Sequence, residues 1–257
     1  MADRPIALVT GASSGIGAAF ARRLADRGHD LVVVARDVTR LEKLAGDLPG
    51  VDVEVIGADL QQPEQLASVE ERLIARDRPV DMLVNNAGFG TAGNFAELDV
   101  EREVGMIELN ITALVRLSHA AAGAMIERRR GGILNIGSVG SFQPSPYNAT
   151  YSATKAFVLS FTEAIHEELK PHGVHVTCVC PGFTSTEFQQ RAGIDEGTVP
   201  GLLKQDADTV ARTALKALAR NKAVCVTGLP NKAAVELERI LPRVMVRKTA
   251  AMVTKRF

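Results

Sequence analysis

Short runs of β-branched and aliphatic residues alternate with longer amphipathic stretches from the first residues to about Gly228, and this alternation restricts the fold more than any other feature of the chain. The runs at 6–9, 31–34, 53–56, 82–85, 132–136, 174–179 and 223–227 have the length and composition of strands buried on both faces. Between them, residues 15–27, 64–76, 101–129, 150–170 and 208–220 carry apolar side chains at helical spacing with charges between. Right-handed crossovers then build an α/β, doubly wound, three-layer sandwich around a seven-stranded parallel sheet, with ligands beyond the carboxyl ends of the strands. The absence of Trp and the 4% aromatic content suit this better than a β-sandwich.

No linker or fixed-period repeat divides the chain, so residues 1–257 are expected to form a single domain. Two stretches stand apart. Residues 184–206, with Gly193, Gly197, Pro200 and Gly201, have the composition of a substrate-covering loop. Residues 231–257 form a helical extension broken at Pro242 and basic through Arg243, Arg247, Lys248, Lys255 and Arg256. A solvated face or subunit contact is favoured there over a membrane-surface helix. Thirty basic and thirty acidic residues cancel, so no global field favours nucleic acid, and the expected partner is a small molecule. No apolar run approaches the ~20 residues of a membrane span. Cys178, Cys180 and Cys225 lie in strand-like runs and read as buried thiols, which points to a reducing, cytoplasmic setting.

Two motifs carry chemistry. Thr10-Gly11-Ala12-Ser13-Ser14-Gly15-Ile16-Gly17 follows the first strand and opens the first helix, where backbone N–H groups and the helix dipole can meet a pyrophosphate. Tyr151 and Lys155, four apart on one helix face, bring an ammonium toward a phenol; a neighbouring cation is expected to lower the phenol's pKa from its ordinary ~10. Ser138 lies thirteen residues upstream as a substrate contact. The other tyrosine, Tyr147, has no lysine four residues on. His29, His119, His166, His172 and His175 compose no metal set, and no metal is expected.

Together with Asn85-Asn86-Ala87-Gly88, Asn110 and Pro181-Gly182, these motifs occur in an order and spacing that resemble the short-chain dehydrogenase/reductase family in its one-domain form, over about residues 5–228. The resemblance implies a Rossmann-type fold and interconversion of a ketone and a secondary alcohol by hydride transfer. It implies dinucleotide contacts at Gly11, Ser13, Ser14, Gly15, Ile16 and Gly17, at Asn86, Ala87 and Gly88, and at the adenine-contacting pair Asp59 and Leu60. It also implies that Pro181, Gly182, Phe183, Thr184 and Thr186 receive the nicotinamide carboxamide and that Tyr151 is the acid or base. Ser138 would hold the carbonyl oxygen, Lys155 the nicotinamide ribose, and the Asn110 backbone a water of the proton relay. Asp59 has an alternative reading as a helix cap.

Cofactor preference is read at the end of the second strand. Ala35 stands where an NAD-binding member has its acid, and the guanidinium of Arg36 suits a 2′-phosphate, so NADP (NADPH) is expected over NAD. Asp37 either pairs with Arg36 or starts a helix. Phe142, Tyr147, Phe183 and Phe188 point to a lipophilic ketone, 3-oxoacyl or steroid-like, and a homodimer or homotetramer is expected. The alternatives are a dinucleotide-binding sensor or scaffold without catalysis, and an NAD-preferring alcohol dehydrogenase.

Overall fold

The structure, a computed structural model, describes residues 4–188, 201 and 204–254. In chain order it runs through β1 (Ile6–Thr10), α1 (Gly15–Ala25), β2 (Asp30–Ala35), α2 (Val38–Gly46), β3 (Val53–Gly57), α3 (Pro63–Ile74) and β4 (Val80–Asn85). Then follow α4 (Val100–Ile107), α5 (Leu114–Arg128), β5 (Gly131–Ile136), α6 (Ala149–Leu169), β6 (Val174–Cys180), α7 (Ala207–Ala219), β7 (Val224–Val226), α8 (Leu229–Ile240) and α9 (Arg243–Thr254). All strand pairs are parallel, in the order β3-β2-β1-β4-β5-β6-β7. This is the doubly wound, Rossmann-type sheet that the alternation of runs predicts. The order reverses between β1 and β4, which opens a crevice at their carboxyl ends.

Period-two alternation in β1 and β2 explains why both faces are covered. Ala7, Val9, Leu31 and Val33 pack with Phe20 and Leu24 of α1 and with Val210, Ala214 and Leu218 of α7. Their sequence neighbours Ile6, Leu8, Val32 and Val34 face the other way, onto Leu66, Val69 and Leu73 of α3 and Leu117, Ala121 and Met125 of α5. Strands with no polar face form only where helices exclude water from both sides.

The structure departs from the sequence reading in four places. Helix α2 was not among the expected helices, although Asp37 caps it by accepting a hydrogen bond from Arg40 N at 3.0 Å. The helix expected over 101–129 is interrupted by a π turn at Glu108–Ala113. Contrary to the expectation for apolar runs, Val100–Arg128 is long and apolar enough to cross a membrane by length and composition; Leu114, Leu117, Ala121 and Met125 bury one of its faces in the core. Cys225 is half-buried, whereas Cys178 and Cys180 are fully buried.

Candidate active site

The chain turns after β1 at Gly11, whose φ of 64° is a left-handed conformation that L side chains rarely adopt. Gly17 packs α1 back onto this turn: a Cβ there would stand 2.2 Å from the Gly11 carbonyl oxygen and 2.5 Å from Asn86 Nδ2. Asn86 Nδ2 donates to the carbonyls of Thr10 (2.9 Å) and Gly11 (3.2 Å), while Thr10 Oγ1 accepts from the backbone N–H groups of Asn86 and Ala87, both at 3.0 Å. The Asn-Asn-Ala-Gly stretch after β4 thus clamps the glycine loop at the crevice. Its first residue, Asn85, is buried and donates to Ser118 Oγ and Asn135 Oδ1, both at 2.9 Å, which ties β4 to α5 and β5.

Ser14 precedes α1 without a side-chain hydrogen bond to it, and the first turn of α1 holds no acidic residue. The N–H groups of that turn are therefore not claimed by a cap, and the positive end of the helix dipole faces the crevice. Gly11, Ser13, Ser14, Gly15 and Ile16 line a cavity of about 810 Å³. A backbone drawn this close, with an uncapped helix N-terminus behind it, fits a dinucleotide pyrophosphate. Gly17 is not among the residues that line the cavity; it packs behind the loop, where a Cβ would meet the Gly11 carbonyl.

Arg36, Asp59 and Leu60 border the same cavity, as do Asn86, Ala87 and Gly88. The Arg36 side chain is 69% exposed and comes no closer than 4.0 Å to the Asp59 carboxylate, so its guanidinium is largely solvated. Asp37 pairs with Arg40 (3.3 Å) and caps α2, which selects the helix-start reading. Asp59 is not the cap of α3. Its Oδ1 accepts from Gln61 N at 3.1 Å in the turn before that helix, and Gln62 holds the cap position.

At the other end of the cavity are Ser138, Tyr151 and Lys155. Ser138 stands two residues beyond β5, held by a reciprocal cap: its Oγ accepts from Gly140 N at 3.0 Å and its N–H donates to Ser141 Oγ at 3.1 Å. Tyr151 and Lys155 occupy the first turns of α6, and the Ser138 hydroxyl hydrogen-bonds the phenol. Lys155, 5% exposed, donates from Nζ to the Ile136 carbonyl at 2.8 Å, and that ammonium lies 5.8 Å from the centre of the Tyr151 ring.

These contacts correct the expected electrostatics. Part of the Tyr151 ring faces the cavity, but protein encloses the phenol, and this burial pushes its pKa up to about 12; the hydrogen bond from Ser138 acts in the opposite sense. Burial also draws Lys155 down to about 8. The phenol is not held below its ordinary value here, because burial dominates and Lys155 Nζ is directed at the Ile136 carbonyl.

Asn110 sits in the π turn with its side chain buried behind the wall. Its amide accepts from Phe89 N (3.2 Å) and donates to Phe89 O (3.0 Å) and Thr154 Oγ1 (3.1 Å). The register slip of the π turn thus joins the strand-end loop to α6 beside Lys155. The resemblance implied a backbone role; the side chain has this second, architectural one.

Pro181, Gly182, Phe183, Thr184 and Thr186 line the cavity beyond β6, and Thr184 Oγ1 donates to Gly182 O at 3.1 Å. The expected covering loop begins and ends in a clasp: Gln205 N donates to Phe183 O (2.7 Å), Ser185 N to Gln205 O (3.0 Å), and Thr227 Oγ1 to Gln205 Oε1 (2.6 Å). Residues 189–200, 202 and 203 of that loop, and 255–257 of the basic extension, lie outside the described residues. Sequence reasoning missed Gln143, Ser145 and Asn148, which also line the cavity. Their one available signal is their position between Ser138 and Tyr151. Phe188, singled out only as apolar content, packs its ring 5.6 Å from that of Tyr151.

A family model described as short chain dehydrogenase matches residues 5–197. A short-chain dehydrogenase from Sphingobium yanoikuyae, solved in complex with NADPH, is 42% identical, with a TM-score of 0.83 over 93% of this chain and 97% of that one. The bulky-bulky ketone specific alcohol dehydrogenase from Comamonas testosteroni is 38% identical, with a TM-score of 0.79 over 91% of this chain and 92% of that one. A very-long-chain 3-oxoacyl-CoA reductase of Phaeosphaeria nodorum is 37% identical over 191 residues, 72% of this chain and 56% of that protein.

Proposed function

We propose a function from one premise: the chain belongs to the short-chain dehydrogenase/reductase family. It is an oxidoreductase of that family, and we assign it the NADPH-dependent reduction of a lipophilic ketone to a secondary alcohol. One observation carries the reading. Ser138, Tyr151 and Lys155 converge at one end of a cavity whose other end is the uncapped N-terminus of α1.

A bound nicotinamide dinucleotide supplies the hydride. Ser138, rigidly capped, offers its hydroxyl to the substrate oxygen beside the Tyr151 phenol. With its pKa raised to about 12, Tyr151 stays protonated at neutral pH and is ready to give its proton to the oxygen as negative charge develops there. Lys155, drawn down to about 8, can exchange a proton near neutrality and lies close enough to reload the phenol through an intervening water or hydroxyl. Phe188 shields the ring of Tyr151 and, with Phe89, Leu109, Val139 and Phe183, gives the cavity an apolar lining that suits a 3-oxoacyl or steroid-like ketone. Ala35 and the solvated guanidinium of Arg36 support NADP over NAD. The free thiols of Cys178 and Cys180, 3.7 Å apart, support a reducing, cytoplasmic setting.

The test is a panel of ketones and alcohols assayed with both cofactors. NADPH oxidation by bulky ketones is expected, and Tyr151→Phe should lower kcat by about 10²–10⁴-fold with NADPH affinity preserved. Unchanged turnover in that variant would remove Tyr151 from the reaction, and turnover with small polar carbonyls alone would remove the lipophilic substrate.

A further inference from the structure

The C-terminal helices direct their apolar residues outward. Within α8 only Val235 is buried, whereas Leu229 (84% exposed), Ala233, Leu237 and Ile240 (79% exposed) follow one another at helical spacing along the solvent side. In α9, Val246 and Ala250, one turn apart, face the body of the protein, while Val244, Met245 and Met252 (66% exposed) are open. Among the described residues nothing covers these side chains. Large aliphatic side chains left in water forgo the free energy of burial, and here they cluster on two consecutive helices.

Charge identifies the occupant. Arg243, Arg247 and Lys248 stand among the exposed apolar residues of α9, Lys255 and Arg256 follow them in sequence, and no acidic residue occurs from Arg243 to Phe257. We propose that α8 and α9 form a docking surface for an anionic lipid bilayer. α8 carries both signs, with Arg239 paired to Glu236 at 3.3 Å, so the case against a second copy lies in α9, where pairing two such helices would bring like charges together. The apolar stripe of α8 extends about 17 Å at the helical rise. Leucine and isoleucine can sink to the acyl boundary there while the long stems of Arg and Lys lift their charges to lipid phosphates.

The inner side of α8 meets the active site. The Asn231 amide packs so tightly on Gly182 that a Cβ on that glycine would lie 2.2 Å from Nδ2, and the Arg239 guanidinium lies 5.6 Å from the centre of the Phe142 ring. Docking would therefore place the cavity about one helix diameter, roughly 10–12 Å, from the lipid surface in which a lipophilic ketone dissolves. That consequence rests on the proposed reaction; the docking itself does not.

Sedimentation of the full chain with vesicles of phosphatidylcholine, alone or mixed with phosphatidylglycerol, tests the surface. Binding should occur with the anionic vesicles, fall at least about tenfold with the neutral ones, and weaken with salt. Leu237→Ser with Ile240→Ser, and separately Arg247→Glu with Lys248→Glu, should each reduce it at least about tenfold with NADPH affinity unchanged. Tyr151→Phe should sediment like the wild type, so a failure of the redox assignment leaves this result standing. Absence of binding to anionic vesicles, or equal binding by the variants, overturns the proposal. So does a dimer that ignores vesicles and dissociates in the α8 variant, which would assign the face to a second copy, or capture of an acidic protein without vesicle binding.

Discussion

Lys155 shows how far a residue's chemistry depends on its surroundings. Four-residue spacing places it on the same helix face as Tyr151, and the pair was legible from the sequence. The direction of the pKa shifts was not, because spacing says nothing about desolvation. With a folded value of about 8 against an ordinary 10.5, Lys155 binds fewer protons folded than unfolded between those limits. Its contribution to stability is therefore complete above about pH 10.5 and lost as pH falls through about 8, by up to roughly 3 kcal/mol from a shift of this size. Relative to Lys155→Met, which cannot titrate, the wild type should gain stability as pH rises from 8 to 10.5. Parallel melting temperatures for the two proteins across that range would contradict the buried ammonium. Arg36, Ser138 and Tyr151 were similarly legible as residue types in place. Gln143, Ser145 and Asn148 were not, since polar residues in a loop carry no mark of the wall they will line.

Elements place these residues, and the glycine loop shows the constraint most sharply. Gly17 permits α1 to begin against the Gly11 carbonyl, and no rotamer of a larger residue relieves a contact made at Cβ. Gly17→Ala should cost about 1–3 kcal/mol by overpacking and weaken dinucleotide binding as the helix N-terminus shifts. Gly123→Ala on the exposed side of α5, where a Cβ meets nothing within 4 Å, should instead stabilise by about 0.5–1 kcal/mol. Denaturant unfolding of both variants decides the matter, and a neutral Gly17→Ala would refute the packing account. Helix α2 was missed because it is short, with Leu41 and Leu44 alone buried, so its periodic signal is small beside the charge around it. The π turn was missed for a different reason. Residues 101–129 have continuous helical periodicity, and only the buried partners of Asn110 on Phe89 and Thr154 reward the extra residue in the turn.

Across the whole molecule, the strand order sets one crevice beside β1 and β4, so ligand binding should report as global stability. With ligand at a hundredfold excess over its Kd, a site specific to the folded state adds about 2.7 kcal/mol. If the Arg36 guanidinium meets a 2′-phosphate, NADPH should raise the melting temperature about 3–10 °C more than equimolar NADH, and Arg36→Ala should erase that difference. Equal shifts in the wild type would remove the argument for phosphate recognition. The sequence by itself determined the class of sheet, the positions of its seven strands, the glycine loop and the grouping of Ser138, Tyr151 and Lys155, because those follow from periodicities and spacings encoded along the chain. Tertiary structure alone decided that burial raises Tyr151 and lowers Lys155, that Asn110 braces the site from a π turn, that Gly17 acts from behind the wall, and that α8 faces its apolar stripe outward. Each of those outcomes depends on which atoms from distant parts of the chain displace water around a residue, and local sequence does not encode that neighbourhood.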